Sequence, residues 1–245
     1  IADLSFGVYR KHMLRLKGKI DKWYNESRTA HSISQFMSHF GGAHTDALFL
    51  NKDYFMGRKE SDAMMVAYFD DGLERRVAPE KLISEALPFY ERAMRIHDLP
   101  KTPVETEISV EVDPMEVARV LDTAQVNFSF DQHGYVHLCL RDESTGSYIT
   151  ALHTPMVKNI EKVKYRYSDP STFVGLLYLL KSYADAQNVE YLELFVKASD
   201  VQVQKILRWN GMLIQGYVPG WMETKNGQSI DQREDAVVFG WTDRK

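Results

Sequence analysis

The sequence is poor in the features that tie a chain to export or to a membrane. Its single cysteine, Cys139, cannot form an intramolecular disulfide. The longest apolar run, FVGLLYLL over residues 173–180, is much shorter than the roughly 20 residues that span a bilayer. No basic stretch followed by an apolar one opens the sequence as a secretory signal would. These absences predict a cytoplasmic protein without a membrane span.

Several catalytic and metal-binding signatures are also missing. There is no Walker loop, no Gly-x-Gly-x-x-Gly fingerprint and no nucleophile elbow. His39, His44 and Asp46 lie close together in the sequence, but their spacing matches no zinc pattern, so no metal site is predicted. Cys139 lies between Leu138 and Leu140 in a predicted strand, a setting typical of a structural thiol.

The charge of the chain is modest but uneven. A net charge of −4 over 245 residues argues against broad nucleic-acid binding. The segment 10–22 is nevertheless basic, because it carries Arg10, Lys11, Arg15, Lys17, Lys19 and Lys22. Met13, Leu16, Ile20 and Trp23 follow at helical spacing, so a basic amphipathic helix docked on the body is predicted. A contact of this segment with RNA, a membrane surface or an acidic partner stays open.

Two regions of the chain differ in pattern. Residues 1–104 predict a mixed α/β region, with helices near 8–24 and 30–40, extended stretches near 46–56 and 63–69, and a helix from Pro79 that Pro88 kinks. The proline-containing segment 99–103 is the candidate domain boundary. From 105 to 245 strands and helices alternate. The predicted strands are 107–112, 135–141, 147–153, 162–167, 192–196 and 236–241, the helices begin at Pro114, Pro170 and Val201, and 126–134 is a loop.

Within the second region, the stretch LELFVKASDVQVQKILRWNGM over 192–212 combines an alternating apolar strand, a polar helix start and a glycine ending. It resembles the GNAT superfamily of acyl-CoA N-acyltransferases, and REDAVV over 233–238 looks like the last strand of ribosomal-protein N-terminal acetyltransferases. The resemblance covers residues 105–245. It implies an α/β (α+β) fold with a mixed central sheet flanked by helices, in which the strands at 162–167 and 191–197 are parallel, adjacent and diverging.

The resemblance also implies a donor site. Family members insert the pantetheine of acyl-CoA between the diverging strands and bind its pyrophosphate where a glycine-rich loop enters a helix, because free N–H groups and the helix dipole attract anions there. In this chain Ser168 replaces the usual basic residue, and Ser171 and Phe173 replace the two key glycines. The implied residues for acetyl-CoA or another acyl-CoA are Tyr165, Arg166, Tyr167, Ser168, Ser171, Thr172 and Asp200.

The catalytic positions have changed as well. The glutamate that serves as base in related alanine acetyltransferases corresponds to Phe195, and the tyrosine that serves as acid corresponds to Leu207, and neither can move a proton. Glu193 lies on the same strand face as Phe195, so the hypothesis is that Glu193 and Tyr167 carry the relocated proton transfer. The side chain of Glu193 is expected to lie outside the core.

The leading function is therefore N-acyl transfer, most simply N-acetyl transfer, from acyl-CoA to an amine on a small molecule or a protein. Residues 1–104 are expected to cover the acceptor cleft. The first alternative is a non-catalytic GNAT-like binding or assembly module. The second is a Fem-like transferase that takes aminoacyl-tRNA, for which the basic segment 10–22 is the only support.

Overall fold

The structure is a computed structural model of the chain, and it describes residues 2–102, 104–226 and 229–242. The helices are α1 (Ala2–Leu16), α2 (Ile33–Phe40), α3 (Leu87–Ile96), α4 (Pro114–Thr123), α5 (Pro170–Ala186) and α6 (Val201–Trp209). The strands are β1 (Lys22–Arg28), β2 (His44–Phe55), β3 (Arg58–Tyr68), β4 (Arg76–Val77), β5 (Gln125–Phe130), β6 (Val136–Asp142), β7 (Ser147–Thr154), β8 (Asn159–Arg166), β9 (Tyr191–Lys197), β10 (Leu213–Asn226) and β11 (Ser229–Thr242). A short 3-10 turn covers Ser84–Ala86.

The chain divides into two compact units. The first contains the residues up to 105 together with 197–199 and 215–238, and the second contains 106–196, 200–214 and the residues from 239 onward. Each unit contains a sheet with both parallel and antiparallel pairs, and helices accompany the strands in each. The predicted fold class, α+β with a mixed sheet flanked by helices, is confirmed. No helix among the described residues combines the length and the apolar character needed to cross a membrane.

The sheet of the first unit has the order β1-β3-β2-β10-β11, and β4 pairs parallel to β11. Strand β10 approaches β2 very closely at Gly216, where an added Cβ would lie 2.4 Å from the Cβ of Ala47. Only glycine fits this crossing. Met13 of α1 is buried with Ala43, Ala63, Met65 and Ala67, so the apolar face of α1 is docked on the strands.

The basic segment 10–22 is not one continuous helix. Gly18 has a φ of +73°, which ends α1 and turns the chain into β1 at Lys22. Some of its charge is used internally, since Lys17 lies 3.6 Å from Asp70 and the Lys22 amino group donates to the carbonyl oxygens of Gly220 and Trp221. An acidic partner for this segment stays a prediction.

The sheet of the second unit has the order β9-β8-β7-β6-β5. Buried and less buried residues alternate along β6 and β7, because one face of these strands meets the helices. Helices α4 and α5 pack so closely that an added Cβ at Gly175 would lie 2.7 Å from the side chain of Val120. Gly175 is therefore explained by helix packing.

The predicted elements from Pro114 onward form largely as expected, and two expectations at the edge of this sheet are wrong. Residues 107–112 alternate in exposure as a strand would, but they carry no strand assignment. Residues 126–130 of the expected loop 126–134 belong instead to β5, which pairs antiparallel with β6 through a turn at Gly134. In the first unit Pro88 lies at the start of α3, where its missing N–H costs nothing, and does not kink a longer helix.

Candidate functional site

The feature that defines the candidate site is the divergence of β8 and β9. The two strands are parallel, and they pair only at Asn159 with Tyr191 and at Ile160 with Leu192. Beyond these pairs the strands run on for several residues without further register partners between them. The predicted parallel, adjacent and diverging pair is confirmed, and α5 connects its two strands.

Three polar side chains meet where the strands have separated. The hydroxyl groups of Tyr165, on β8, and Tyr167, directly after the end of β8, donate to the two carboxylate oxygens of Asp200 at 3.1 and 2.7 Å. Asp200 is the N-cap of α6 and also accepts from the backbone N–H of Val203. Burial raises the pKa of Tyr167, and the hydrogen bond and negative charge of Asp200 raise it further. Tyr167 is therefore a neutral hydrogen-bond donor at pH 7.

Phe173 fills the space beside these tyrosines. Its ring is fully buried, with ring centroids 5.3 Å from Tyr165 and 5.6 Å from Tyr167. The bulky residue that replaces a family glycine thus serves as packing between β8 and α5. Sequence reasoning mapped the position but gave no signal of this contact.

The N-terminus of α5 is occupied by a carboxylate of the chain itself. Asp169 accepts from the backbone N–H of Thr172 at 3.0 Å, and the hydroxyl groups of Thr172 and Ser168 donate to it at 2.6 and 2.7 Å. Burial opposes ionisation of Asp169, but these hydrogen bonds outweigh it, so its pKa lies below the usual value. A negative charge therefore stands at the helix N-terminus where the sequence resemblance predicts a pyrophosphate.

The hydroxyl groups expected to contact phosphate already have partners. Ser171 is buried and accepts from the backbone N–H of Asp113 at 2.8 Å, and Thr172 is fully buried. Near Thr172 lies Glu116, whose charge is paired with Arg119 at 2.6 Å. A phosphate contact of Ser171 or Thr172 stays a prediction, and it requires these bonds to be exchanged.

Two predicted site residues, Arg166 and Glu193, lie outside the cluster of Tyr165, Tyr167 and Asp200. Arg166 is exposed, and strand alternation directs it to the sheet face opposite the two tyrosines. Glu193 is only 5% exposed, and the hydroxyl of the buried Tyr191 donates to it at 2.9 Å. The expectation that Glu193 lies outside the core is therefore wrong. Tyr191, two residues earlier on the same strand face, is the partner that the sequence pattern could have indicated.

Comparisons with known proteins give no sequence relative. No family model and no curated protein matches the sequence. Matched solved structures include one described as a "probable acetyltransferase", at 11% identity and a TM-score of 0.37, covering 45% of this chain and 63% of that one. Another is the ribosomal-protein-S18-alanine N-acetyltransferase from Escherichia coli, at 18% identity and a TM-score of 0.33, covering 55% of this chain and 91% of that one. A third is a ribosomal L7/L12 alpha-N-protein acetyltransferase, at 14% identity and a TM-score of 0.32, covering 44% of this chain and 69% of that one. The chain spans less than two thirds of the first of these structures.

Proposed function

We propose that the chain is a GNAT-like N-acyltransferase, which moves an acyl group from a thioester donor to an amine. The observation that carries this proposal is the divergence of β8 and β9 after Ile160 and Leu192, which is the geometry that a pantetheine arm requires. The free thiol of Cys139 fits a reducing, cytoplasmic setting. The proposed acceptor is an amine, on a small molecule or on a protein.

Acyl transfer has three requirements that the protein must meet. The protein must hold donor and amine together, polarise the thioester carbonyl and remove a proton from the attacking nitrogen. In the proposal, Tyr165, Tyr167 and Asp200 line the donor and Glu193 is the base. Tyr167 can stabilise the leaving thiolate by a hydrogen bond, but its raised pKa makes it a poor proton donor to a thiolate, since a thiol such as that of cysteine has a pKa near 8.5.

Donor recognition should depend on pantetheine more than on the nucleotide. Asp169 already accepts hydrogen bonds at the N-terminus of α5, and its charge repels a pyrophosphate. Ser168 supplies no positive charge in place of the usual basic residue. The proposed donor is therefore an acyl thioester of pantetheine, with acyl-CoA as one form of it.

Calorimetry and thermal melting with acetyl-CoA and with acetyl-pantetheine test the proposal. A donor at 100 times its dissociation constant should stabilise the protein by about 2.7 kcal/mol. Acetyl transfer to a panel of amines, followed by mass spectrometry, then tests turnover. Binding of neither donor, together with no turnover, would overturn the proposal.

A non-catalytic GNAT-like module is the second candidate, and one observation favours it. The hydrogen bonds from Tyr165 and Tyr167 to Asp200 join the end of β8 and the residue after it to the N-cap of α6, and Phe173 packs beside them. A donor must displace this contact in order to enter. Donor binding without turnover, in the wild type and in an Asp200→Asn variant, would favour this candidate.

A further inference from the structure

The first unit contains a groove that the proposed function does not use. One face of α2 lines it through Ser32, Gln35, Phe36 and His39, whose spacing places them along a single stripe. The other walls are His44 and Thr45 of β2, Met65 of β3, and Arg92 and Ile96 of α3. The groove offers about 760 Å³ of space, part of it open to solvent.

Among the described residues, Arg92, His39 and His44 make no side-chain hydrogen bond to a carboxylate, although the charge of Arg92 acts on the nearby Asp46. Arg92 donates from Nη1 to the carbonyl oxygen of Thr45 at 2.9 Å, which tethers an otherwise exposed side chain. Within the part of the chain that the structure describes, no carboxylate pairs with Arg92, and the ring nitrogens of His39 and His44 have no hydrogen-bond partner. The rings of His39 and His44 meet edge to face, with centroids 5.6 Å apart. Three donors of the kind that bind oxyanions therefore line one space.

The acid nearest to these groups in the sequence is shielded. Asp46 is 2% exposed, and its Oδ1 lies 2.7 Å from Nε2 of the buried His97, whose ring in turn meets His44 edge to face. Burial raises the pKa of Asp46, although the hydrogen bond and charge of His97 and the charges of Arg92 and His44 oppose this. Burial lowers the pKa of His44, and its neighbours His97 and His39 lower it further, so His44 is a neutral imidazole at pH 7.

A metal ion fits this groove less well than an anion. Among the described residues, only Glu26, Asp53 and Asp62 form a group of three with the spacing of metal ligands, and none of them lines the groove. The tethered guanidinium of Arg92 would also repel a cation. Phe36, 59% exposed, and Ile96 supply apolar surface beside the polar groups, a combination typical of pockets for small organic ligands.

We propose that this groove binds a small organic oxyanion, a carboxylate or a phosphate carried on an apolar body. Arg92, His39 and His44 hold the oxyanion, and Phe36, Met65 and Ile96 contact the apolar part. The proposal concerns the first unit alone, and it stands whether or not the second unit transfers acyl groups.

Calorimetric titration of the full chain with four probes tests the site. The probes are phenylacetate, phenyl phosphate, the neutral phenylacetamide and inorganic phosphate. The two phenyl anions should bind more tightly than phenylacetamide, and the better of the two identifies the oxyanion. Phenyl phosphate should also bind more tightly than inorganic phosphate, because only the former uses the apolar wall. Equal binding of phenylacetamide and phenylacetate, or no binding of either phenyl anion, would overturn the proposal.

Variants on α3 and α2 locate the binding. Arg92→Gln should weaken the preferred phenyl anion about tenfold or more, the scale of one lost charge-assisted hydrogen bond. Arg95→Gln, which removes an exposed arginine of the same helix outside the groove, is the matched control and should change affinity less than about twofold. Phe36→Ala should weaken phenyl phosphate but leave inorganic phosphate unchanged. Melting temperatures establish that each variant is folded, and equal losses in Arg92→Gln and Arg95→Gln would place the ligand elsewhere.

Discussion

The cleft between β8 and β9 and the groove beside α2 are both lined with polar side chains, yet they differ in where the hydrogen bonds go. In the cleft, Tyr165 and Tyr167 already donate to Asp200, and Asp169 already accepts from α5. In the groove, His39 and His44 make ring contacts only, among the residues that the structure describes. Polar composition alone therefore does not identify a binding site, because a satisfied group must give up a partner before it can bind a ligand.

The difference has an energetic side. A ligand that enters the cleft exchanges existing hydrogen bonds for new ones, so the net gain per bond is small. A ligand that enters the groove replaces water around His39 and His44, whose ring nitrogens have no hydrogen-bond partner among the described residues, and Arg92 keeps donors beyond the one bonded to Thr45. We therefore expect the groove to bind its ligand without rearrangement, and the cleft to require the bonds of Asp200 to open first.

The largest expected effect concerns the chemistry of the cleft. Glu193→Gln should lower turnover by about 10²–10⁴-fold, the scale of losing one general base. The amide keeps the shape of the side chain and can still accept from the Tyr191 hydroxyl, so the fold should survive. Steady-state acetyl transfer, with the melting temperature alongside, measures both.

Glu190→Gln is the matched control for this experiment. Glu190 precedes the same strand and forms a partly exposed ion pair with Lys158, a kind of pair that contributes little to stability. Its turnover should stay near that of the wild type. Undiminished turnover in a folded Glu193→Gln protein would remove Glu193 from the mechanism.

An intermediate effect is expected on the ionisation of Tyr167 at alkaline pH, which depends on the charge of Asp200. Because the native pKa of Tyr167 is raised, the folded protein keeps this proton at pH values where the unfolded chain loses it. Stability from this group is therefore complete below about pH 10 and declines as the pH rises above that. Asp200→Asn removes the charge but keeps an N-cap residue, so Tyr167 should ionise at lower pH.

The ultraviolet absorbance of tyrosinate, recorded during alkaline titration, follows this change. Tyr167→Phe in the wild-type and Asp200→Asn backgrounds isolates the signal, since Tyr68 and Tyr217 also have raised pKa values owing to burial. Superimposable titration curves for the wild type and Asp200→Asn would mean that Asp200 does not control Tyr167.

A smaller effect separates the two roles of Asp169. Asp169→Ala should lower the free energy of unfolding by about 1 kcal/mol, because α5 loses its N-cap. Asp169→Asn keeps the cap but removes a charge that its hydrogen bonds stabilise, so it should lose less stability than Asp169→Ala. Urea unfolding measures both, and equal losses in the two variants would mean that the charge, and not the cap, stabilises α5.

Much of the second unit could be predicted from the sequence because its signals are local. Asp113 and Asp169, each followed by proline, start helices where the pattern indicated, and alternation in β6 and β7 matches burial. The contacts of Phe173 and the burial of Glu193 could not be read in this way, because they depend on neighbours from other elements or on side-chain direction.

The groove shows the same limit in the first unit. The sequence places His39, His44 and Asp46 close together, but the partner of Asp46 is His97, which is distant in the chain. Arg92 likewise joins the groove only because α3 carries it there. A search for ligand spacing along the sequence finds metal patterns and misses a site that is assembled from α2, β2 and α3.

The smallest expected effect is the difference in affinity between acetyl-CoA and acetyl-pantetheine. It tests whether the N-terminus of α5, unlike the groove beside α2, is closed to anions. Since Asp169 occupies the N-terminus of α5 and Ser168 carries no charge, the nucleotide of CoA should add little to binding. Acetyl-CoA and acetyl-pantetheine should then have dissociation constants within about threefold, a difference below 1 kcal/mol. In Asp169→Asn the balance should move toward acetyl-CoA, because the repulsive charge is gone while the helix dipole remains. Competitive calorimetry on both proteins measures the two ratios. If acetyl-CoA binds the wild type at least a hundredfold more tightly than acetyl-pantetheine, a phosphate site exists that Asp169 does not block.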